Sequence, residues 1–233
     1  MKKIFSLTLS IIFFCIATNA QEVIISGEAL YNTNFSIINS AITGNSKTKK
    51  KPTTAIKKLS PANLRFNRSE AVSKKVQEDF IIQLSKTQPQ QKAQIQQLFA
   101  QNKMRKQFDD LLKTYNYSSL NLADAMTAYL VISWQVVHST EFNDKKGFDA
   151  VRKMITDILV KSESLATASD IEKQTVAETF GYQAIIAMQS YKTIKATNTN
   201  GLPALQDAIY QNSKAAGIDL KKYKLSSAGF VKL

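Results

Sequence analysis

A chain of 233 residues with 44% hydrophobic and 21% charged residues can form one large domain or two small ones, and this composition excludes disorder over its full length. The single cysteine, Cys15, and the single histidine, His138, exclude an intramolecular disulfide framework and a zinc cluster of Cys and His ligands. With 7 glycines and 4 prolines the chain has few residues for tight turns, which argues against a β-sandwich or barrel, and its formal net charge is +13.

The first 20 residues have the pattern of a secretory signal peptide. Lys2 and Lys3 give a positive start, residues 4–17 are apolar, and Ala20 is a small residue of the kind that signal peptidases accept. We therefore expect cleavage after Ala20, export to the periplasm or the medium, and no membrane-spanning segment in the mature chain. The alternative is a lipoprotein anchor at Cys15, but the two residues before this cysteine are phenylalanines where lipoprotein signals have small residues.

Signal cleavage would change both the charge and the thiol content of the protein. Without Lys2 and Lys3, 29 of the 31 basic residues remain against 18 acidic ones, which gives the mature chain a formal charge of +11. The mature chain would contain no cysteine, a composition that suits an oxidising compartment.

A lysine-rich segment comes next, with eight bases and no acid between Ala29 and Ser69. Residues 21–67 lack a sustained apolar period, which predicts a disordered basic arm or linker. Lysine clusters attract phosphate or carboxylate polymers by releasing counterions, so an anionic envelope polymer is a candidate partner. The alternative is a solvated linker whose charge only maintains solubility. The candidate polyanion-binding residues are Lys47, Lys49, Lys50, Lys51, Lys57, Lys58, Arg65 and Arg68.

Residues 68–233 have apolar residues at helical spacing, which predicts an all-α domain formed by a single bundle of about six helices. The first helix begins after Ser69, and the second begins at Pro89 with a bend expected near Gln101. Residues 122–138 are apolar on nearly every side, which places this helix at the centre of the bundle.

The second half of the domain continues with helices. One begins at Asp144, and a long helix over 171–196 follows the cap formed by Ser169 and Asp170. A further helix runs from Pro203 to a stop at Gly217, and residues 219–233 are expected to form a basic tail.

Several short blocks of this domain together indicate a family. The blocks are Asn121-Leu-Ala-Asp-Ala125, Ala128-Tyr129, Trp134-Gln135, Asp170-Ile-Glu-Lys-Gln174 with Ala177-Glu178, and Gly217-Ile-Asp-Leu220 with Leu225-Ser-Ser-Ala-Gly-Phe230. In these blocks the chain resembles an uncharacterised family of secreted bacterial domains of unknown function. The resemblance covers about residues 64–230 and implies a helical extracytoplasmic domain, with no activity and no catalytic residues to transfer.

Two carboxylates, Asp124 and Glu178, lie within apolar helices and are the candidates for a general acid and base. An envelope glycan hydrolase or lyase would need both of them in one open cleft. The alternative is structural, with Asp124 in the first turn of its helix and Glu178 paired with a base.

Other polar and aromatic residues favour structural roles. His138 lies near the end of the central helix without partner ligands or a G-x-S-x-G nucleophile, and the chain has no glycine-rich phosphate loop, so we predict no metal and no cofactor. Aromatic residues at helical spacing are expected in the core, the alternative being a stacking platform for a sugar or a base. Glutamines on the same helices are expected to bond between helices or to line a small polar pocket. The aromatic residues are Tyr129, Trp134, Phe180 and Tyr182, and the glutamines are Gln135, Gln174 and Gln183.

These observations favour a non-catalytic, exported binding or interaction module with a basic tether. Its expected partner is an anionic envelope polymer or another protein, and the absence of a recognition-helix pattern argues against specific binding of nucleic acid.

Overall fold

A computed structural model describes residues 59–87, 89–197, 199–215 and 217–233. The predicted signal peptide and the lysines between positions 47 and 58 lie outside these ranges. The helices are α1 (Glu70–Thr87), α2 (Lys92–Phe99), α3 (Lys103–Thr114), α4 (Leu122–His138), α5 (Lys145–Leu159), the short α6 (Glu163–Ala166), α7 (Asp170–Thr197) and α8 (Leu202–Ala215), and the strands are β1 (Tyr223–Ser226) and β2 (Gly229–Lys232).

Helix α4 is the centre of the bundle, as its sequence predicts. Asn121 caps it by accepting a hydrogen bond from the backbone N–H of Ala123 at 2.9 Å, and every residue of α4 except Gln135 and His138 is buried. Helix α7 packs along α4 and is buried over most of its 28 residues. The expected all-α bundle around these two helices is confirmed.

The second predicted helix is divided into α2 and α3. Gln101 and Asn102 both have left-handed backbone conformations, with φ of 58° and 55°. These conformations end α2 and change the direction of the chain before α3 begins. The expected bend near Gln101 is therefore a break. Phe99 is buried just before it, and its carbonyl oxygen accepts a hydrogen bond of 3.0 Å from Nε2 of Gln77 on α1.

The C-terminal segment, which we expected to be a basic tail, forms a two-stranded antiparallel hairpin. Tyr223 pairs with Lys232 and Leu225 pairs with Phe230, and Gly229 has the positive φ of 85° that lets the chain reverse. The hairpin packs on α5 and buries Leu225. Strands of four residues are too short to give a clear alternating pattern in the sequence.

The segment before α1 packs on the bundle. Leu64 and Phe66 are 1% and 5% exposed, and the backbone N–H of Phe66 donates to the carbonyl oxygen of Leu120 at 3.1 Å. The ammonium group of Lys173, on α7, donates to the carbonyl oxygen of Arg65 at 2.8 Å. Two apolar side chains that precede residue 68, the domain boundary expected from the sequence, thus lie in the core.

None of the helices in the described ranges is both long and apolar enough to cross a membrane.

Candidate functional site

Glu178, the first candidate catalytic carboxylate, belongs to a buried polar network between α1 and α7. Its side chain is 5% exposed, and its Oε1 accepts hydrogen bonds from Oγ of Ser73 at 2.7 Å and from Nε2 of Gln174 at 3.0 Å. Nε of Arg68 lies 3.4 Å from the same oxygen. Glu178 is thus paired with a base and sealed in the core.

Arg68, expected at the end of the basic arm, instead binds internal partners. Its guanidinium donates two hydrogen bonds to Asp109, at 2.8 Å and 3.0 Å, and one to Oγ of Ser119 at 3.1 Å. The hydrogen bonds to Asp109 raise the pKa of Arg68 above its usual value. Burial raises the pKa of Asp109, but the hydrogen bonds and the charge of Arg68 outweigh it and hold that pKa below the usual value.

Asp124, the second candidate carboxylate, has a different base. It is 1% exposed, it pairs with the guanidinium of Arg152 on α5, and it accepts a hydrogen bond of 2.9 Å from the backbone N–H of Ser118. The open cleft shared by Asp124 and Glu178 that a hydrolase or lyase would need is not found in the described residues, because each carboxylate is buried against its own partners.

The other residues singled out in the sequence have structural partners where they are described. His138 stacks on Trp134 with ring centroids 4.6 Å apart, and its Nε2 lies 3.1 Å from the carbonyl oxygen of Leu220. A carbonyl only accepts hydrogen bonds, so Nε2 carries the proton. The indole N–H of Trp134 donates to the carbonyl oxygen of Tyr223 at 2.8 Å. Both side chains thus hold the C-terminal segment against α4.

The aromatic residues and glutamines lie in or beside the core. Tyr129, Trp134, Phe180 and Tyr182 are all buried, as expected. Gln174 is buried and donates to the backbone carbonyl of Ser69 at 2.8 Å. Gln183 is also buried. Gln135 accepts a hydrogen bond of 3.0 Å from the backbone N–H of Phe142 and lines the cleft described below.

The candidate polyanion-binding residues are mostly beyond the described ranges. Arg65 is exposed, and its backbone forms an isolated antiparallel bridge with Asn121. Within the part of the chain that the structure describes, no group of three or more His, Cys, Asp or Glu side chains is arranged to hold a metal ion. The six candidates outside the described residues are Lys47, Lys49, Lys50, Lys51, Lys57 and Lys58.

A cleft of about 610 Å³ lies between α3, α4, the start of α5 and the C-terminal half of α7. This volume falls in the range of small-molecule binding sites. We call it the aromatic cleft. It is lined by Leu111, Leu112, Tyr115, Tyr117, Ala128, Ile132, Gln135, Val136, Thr140, Glu141, Asn143, Phe148, Met188, Tyr191, Lys192, Lys195 and Ala196.

The floor of the aromatic cleft is apolar and one wall is aromatic. The rings of Tyr115 and Phe148 pack with centroids 4.2 Å apart, and Tyr117 continues the wall. The Tyr117 hydroxyl donates to Asp149 at 2.9 Å, and burial, reinforced by Asp149, raises its pKa above the usual value. Burial also raises the pKa of Tyr115. Both tyrosines are therefore neutral at physiological pH and present apolar ring surface to the cavity.

The aromatic cleft also carries charged residues. Lys192, Lys195 and Ala196 lie on α7 at the rim and are exposed, as is Glu141 on the loop before α5. Tyr191 lies beside them, with Nζ of Lys195 5.2 Å from the centroid of its ring. The cleft thus joins an apolar interior to a polar rim, an arrangement that suits binding of an amphipathic molecule.

The sequence does not reveal this cleft. Its apolar residues, including Leu111, Leu112 and Tyr115, belong to the helical spacing that predicts packing of the bundle. An apolar stripe indicates which side of a helix is covered, but the space left between two such sides depends on how the helices cross.

Comparison with known proteins places the chain in a family. A sequence model described as a family of unknown function, DUF6683, matches residues 15–232. The chain belongs to this family. No curated protein and no solved structure matches it.

Proposed function

We propose that this member of the family is a non-catalytic binding module and that the aromatic cleft is its ligand site. The observation that carries the proposal is the cavity of about 610 Å³ with an apolar interior and a polar rim. A cleft of this kind buries the apolar body of a small molecule while polar groups at the mouth orient it.

The surroundings of the titratable groups favour binding over catalysis. Asp124 and Glu178 are both occupied by internal bases and hydrogen bonds, and neither lines the aromatic cleft. A general acid or base must reach the bound substrate within hydrogen-bond distance. Glu141 is the single carboxylate among the cleft residues, so a pair of carboxylates is not available there.

Fluorescence of the neutral apolar dye N-phenyl-1-naphthylamine tests the proposal. We expect saturable binding by the native protein, and at least tenfold weaker binding by Ala196→Trp, which places a large side chain at the mouth of the cleft. The matched control is Ala93→Trp, at an exposed helical alanine outside the cleft. No saturable binding, or equal binding by both variants, would contradict the proposal.

We also propose that the protein is exported and acts in the envelope or outside the cell. The support is the charged start, apolar run and small residue of positions 1–20. Mass spectrometry of the protein from the periplasm or medium of a bacterial host should give a chain that starts at Gln21. A full-length chain retained in the cytoplasm would overturn this proposal, and a lipid on Cys15 would replace it with the anchor.

The lysine-rich segment completes the proposed function as an electrostatic tether to an anionic envelope polymer. Six lysines lie within positions 47–58 with no acid among them. Such a density of positive charge favours a polymer of phosphates or carboxylates over a neutral partner.

A further inference from the structure

Tyr191, one of the residues that line the aromatic cleft, has a polar group without a partner. The hydroxyl of Tyr191 is buried and forms no hydrogen bond with any described residue. A buried hydroxyl without a partner destabilises the folded chain, because it has given up its hydrogen bonds to water. A ligand that brings an acceptor atom to this hydroxyl would remove that destabilisation, because the phenol can donate to it.

The charges next to Tyr191 indicate which kind of acceptor fits. Lys192 and Lys195 line the same end of the cleft, and neither is ion-paired with a residue in the described ranges. Nζ of Lys195 lies 5.2 Å from the centroid of the Tyr191 ring. An acceptor beside two ammonium groups is most stable when it is an anion.

The remaining lining residues limit the charge and shape of that anion. Glu141 is the one acid of the cleft, so its lining carries two positive charges and one negative charge and matches a monoanion. The apolar floor and the wall of Tyr115 and Phe148 can bury a hydrocarbon chain or ring. Charge at one end and apolar surface beyond it are the features of an amphipathic carboxylate.

We propose that the aromatic cleft binds amphipathic carboxylates, with the hydrocarbon against Tyr115 and Phe148 and the carboxylate accepting a hydrogen bond from Tyr191 beside Lys192 and Lys195. This inference rests on the proposed function of the cleft. It adds a requirement for negative charge, which binding of the neutral dye does not involve.

Displacement of N-phenyl-1-naphthylamine by decanoate and by 1-decanol tests the requirement for charge. We expect decanoate to compete at least tenfold more strongly at neutral pH and low salt. The preference should fall to less than threefold in the double variant Lys192→Gln/Lys195→Gln, and it should remain in Lys92→Gln, whose lysine is exposed and outside the cleft.

Tyr191→Phe tests the hydrogen bond apart from the charge. Loss of one hydrogen bond to a charged group should weaken decanoate binding by about tenfold, weaken decanol binding less and leave binding of the dye unchanged. Lys195→Arg, which retains the charge, should keep the preference for decanoate, and circular dichroism checks that each variant is folded.

The outcomes separate this inference from the proposed function. If the dye binds in the cleft but decanoate and decanol compete equally, the carboxylate inference is wrong and the proposed binding site stands. If the dye does not bind at all, the proposed function itself fails.

Discussion

Arg68 holds two carboxylates that come from distant parts of the chain. It forms a two-point ion pair with Asp109 on α3 and lies 3.4 Å from Glu178 on α7. The guanidinium is planar and presents several donors at fixed angles, so lysine could not replace both interactions. The sequence places Arg68 at the end of a row of bases, and nothing local distinguishes it from the others, because its partners lie 41 and 110 residues away.

Removal of this base should destabilise the protein. Arg68→Met leaves Glu178 buried and Asp109 half-buried without their counterion, and we expect a loss of about 2 kcal/mol in the free energy of unfolding, below the range for fully buried pairs. Urea unfolding at pH 7 measures it. Lys153→Met, which breaks an exposed pair with Asp157, is the control and should change the stability little. Equal effects of the two variants would contradict the role assigned to Arg68.

The effect of Arg68→Met should depend on pH. The pKa of Asp109 is lower in the folded protein than its usual value of about 3.9. The ionised carboxylate therefore stabilises the folded state at pH values above about 3.9. This stabilisation is lost as the pH falls through the pKa of the folded protein. The difference in unfolding free energy between the native protein and Arg68→Met should therefore shrink between pH 7 and pH 3. A difference that stays constant with pH would show that titration of Asp109 does not contribute to the stabilising effect of Arg68.

At the scale of elements, the contact between α5 and the hairpin depends on Gly147. A methyl group at this position would overlap the ring of Phe142 and the backbone carbonyl oxygen of Ser226. The Phe142 ring can move, but the carbonyl is fixed by the pairing of Ser226 with Gly229. The hairpin lies this close to α5 because the helix has no side chain there.

Gly147→Ala should destabilise the protein by about 1–3 kcal/mol through overpacking. In an exposed helix interior the same change stabilises by about 1 kcal/mol. A loss of stability would therefore indicate that Gly147 lies in close contact with Phe142 and Ser226. Thermal unfolding measures it, with Lys146→Ala as the control at the neighbouring exposed position. An increase in stability for Gly147→Ala would mean that the hairpin does not pack on α5 as described.

The elements differ in how much of them the sequence could predict. Helix α4 has 17 residues of nearly continuous apolar character behind an Asn cap, so its position and central place follow from its own residues. The hairpin has two strands of four residues, and it is stabilised by contacts with α5 and by the bond from Trp134 to Tyr223. Its stability comes from tertiary contacts, which local patterns do not encode. The aromatic cleft was missed for the same reason.

At the scale of the whole molecule, the lysine-rich segment and the helical domain carry separate parts of the proposed function. Replacing the six lysines at positions 47, 49, 50, 51, 57 and 58 by glutamine should weaken polyanion binding. With double-stranded DNA as a probe of known charge density, the slope of log Kd against log salt concentration should fall by up to about 5. Fluorescence anisotropy across a salt series measures it.

The control for this experiment removes the same number of charges from the domain. It replaces six exposed lysines by glutamine, and we expect it to change the slope much less. An equal decrease for the two sets would show that only the net charge matters, which would overturn the tether. The control lysines are Lys86, Lys92, Lys103, Lys106, Lys161 and Lys224.

The hydrogen bonds from Lys173 show at which end of α7 the segment before α1 joins the bundle. Lys173 lies in the first turn of α7 and holds the carbonyl groups of Asn63 and Arg65, so the chain that arrives from the lysine-rich segment joins the bundle at that end. Lys195 lies 22 residues further along the same helix, roughly 33 Å away at 1.5 Å per residue. The described chain therefore enters the bundle at the end of α7 opposite to the two lysines of the aromatic cleft.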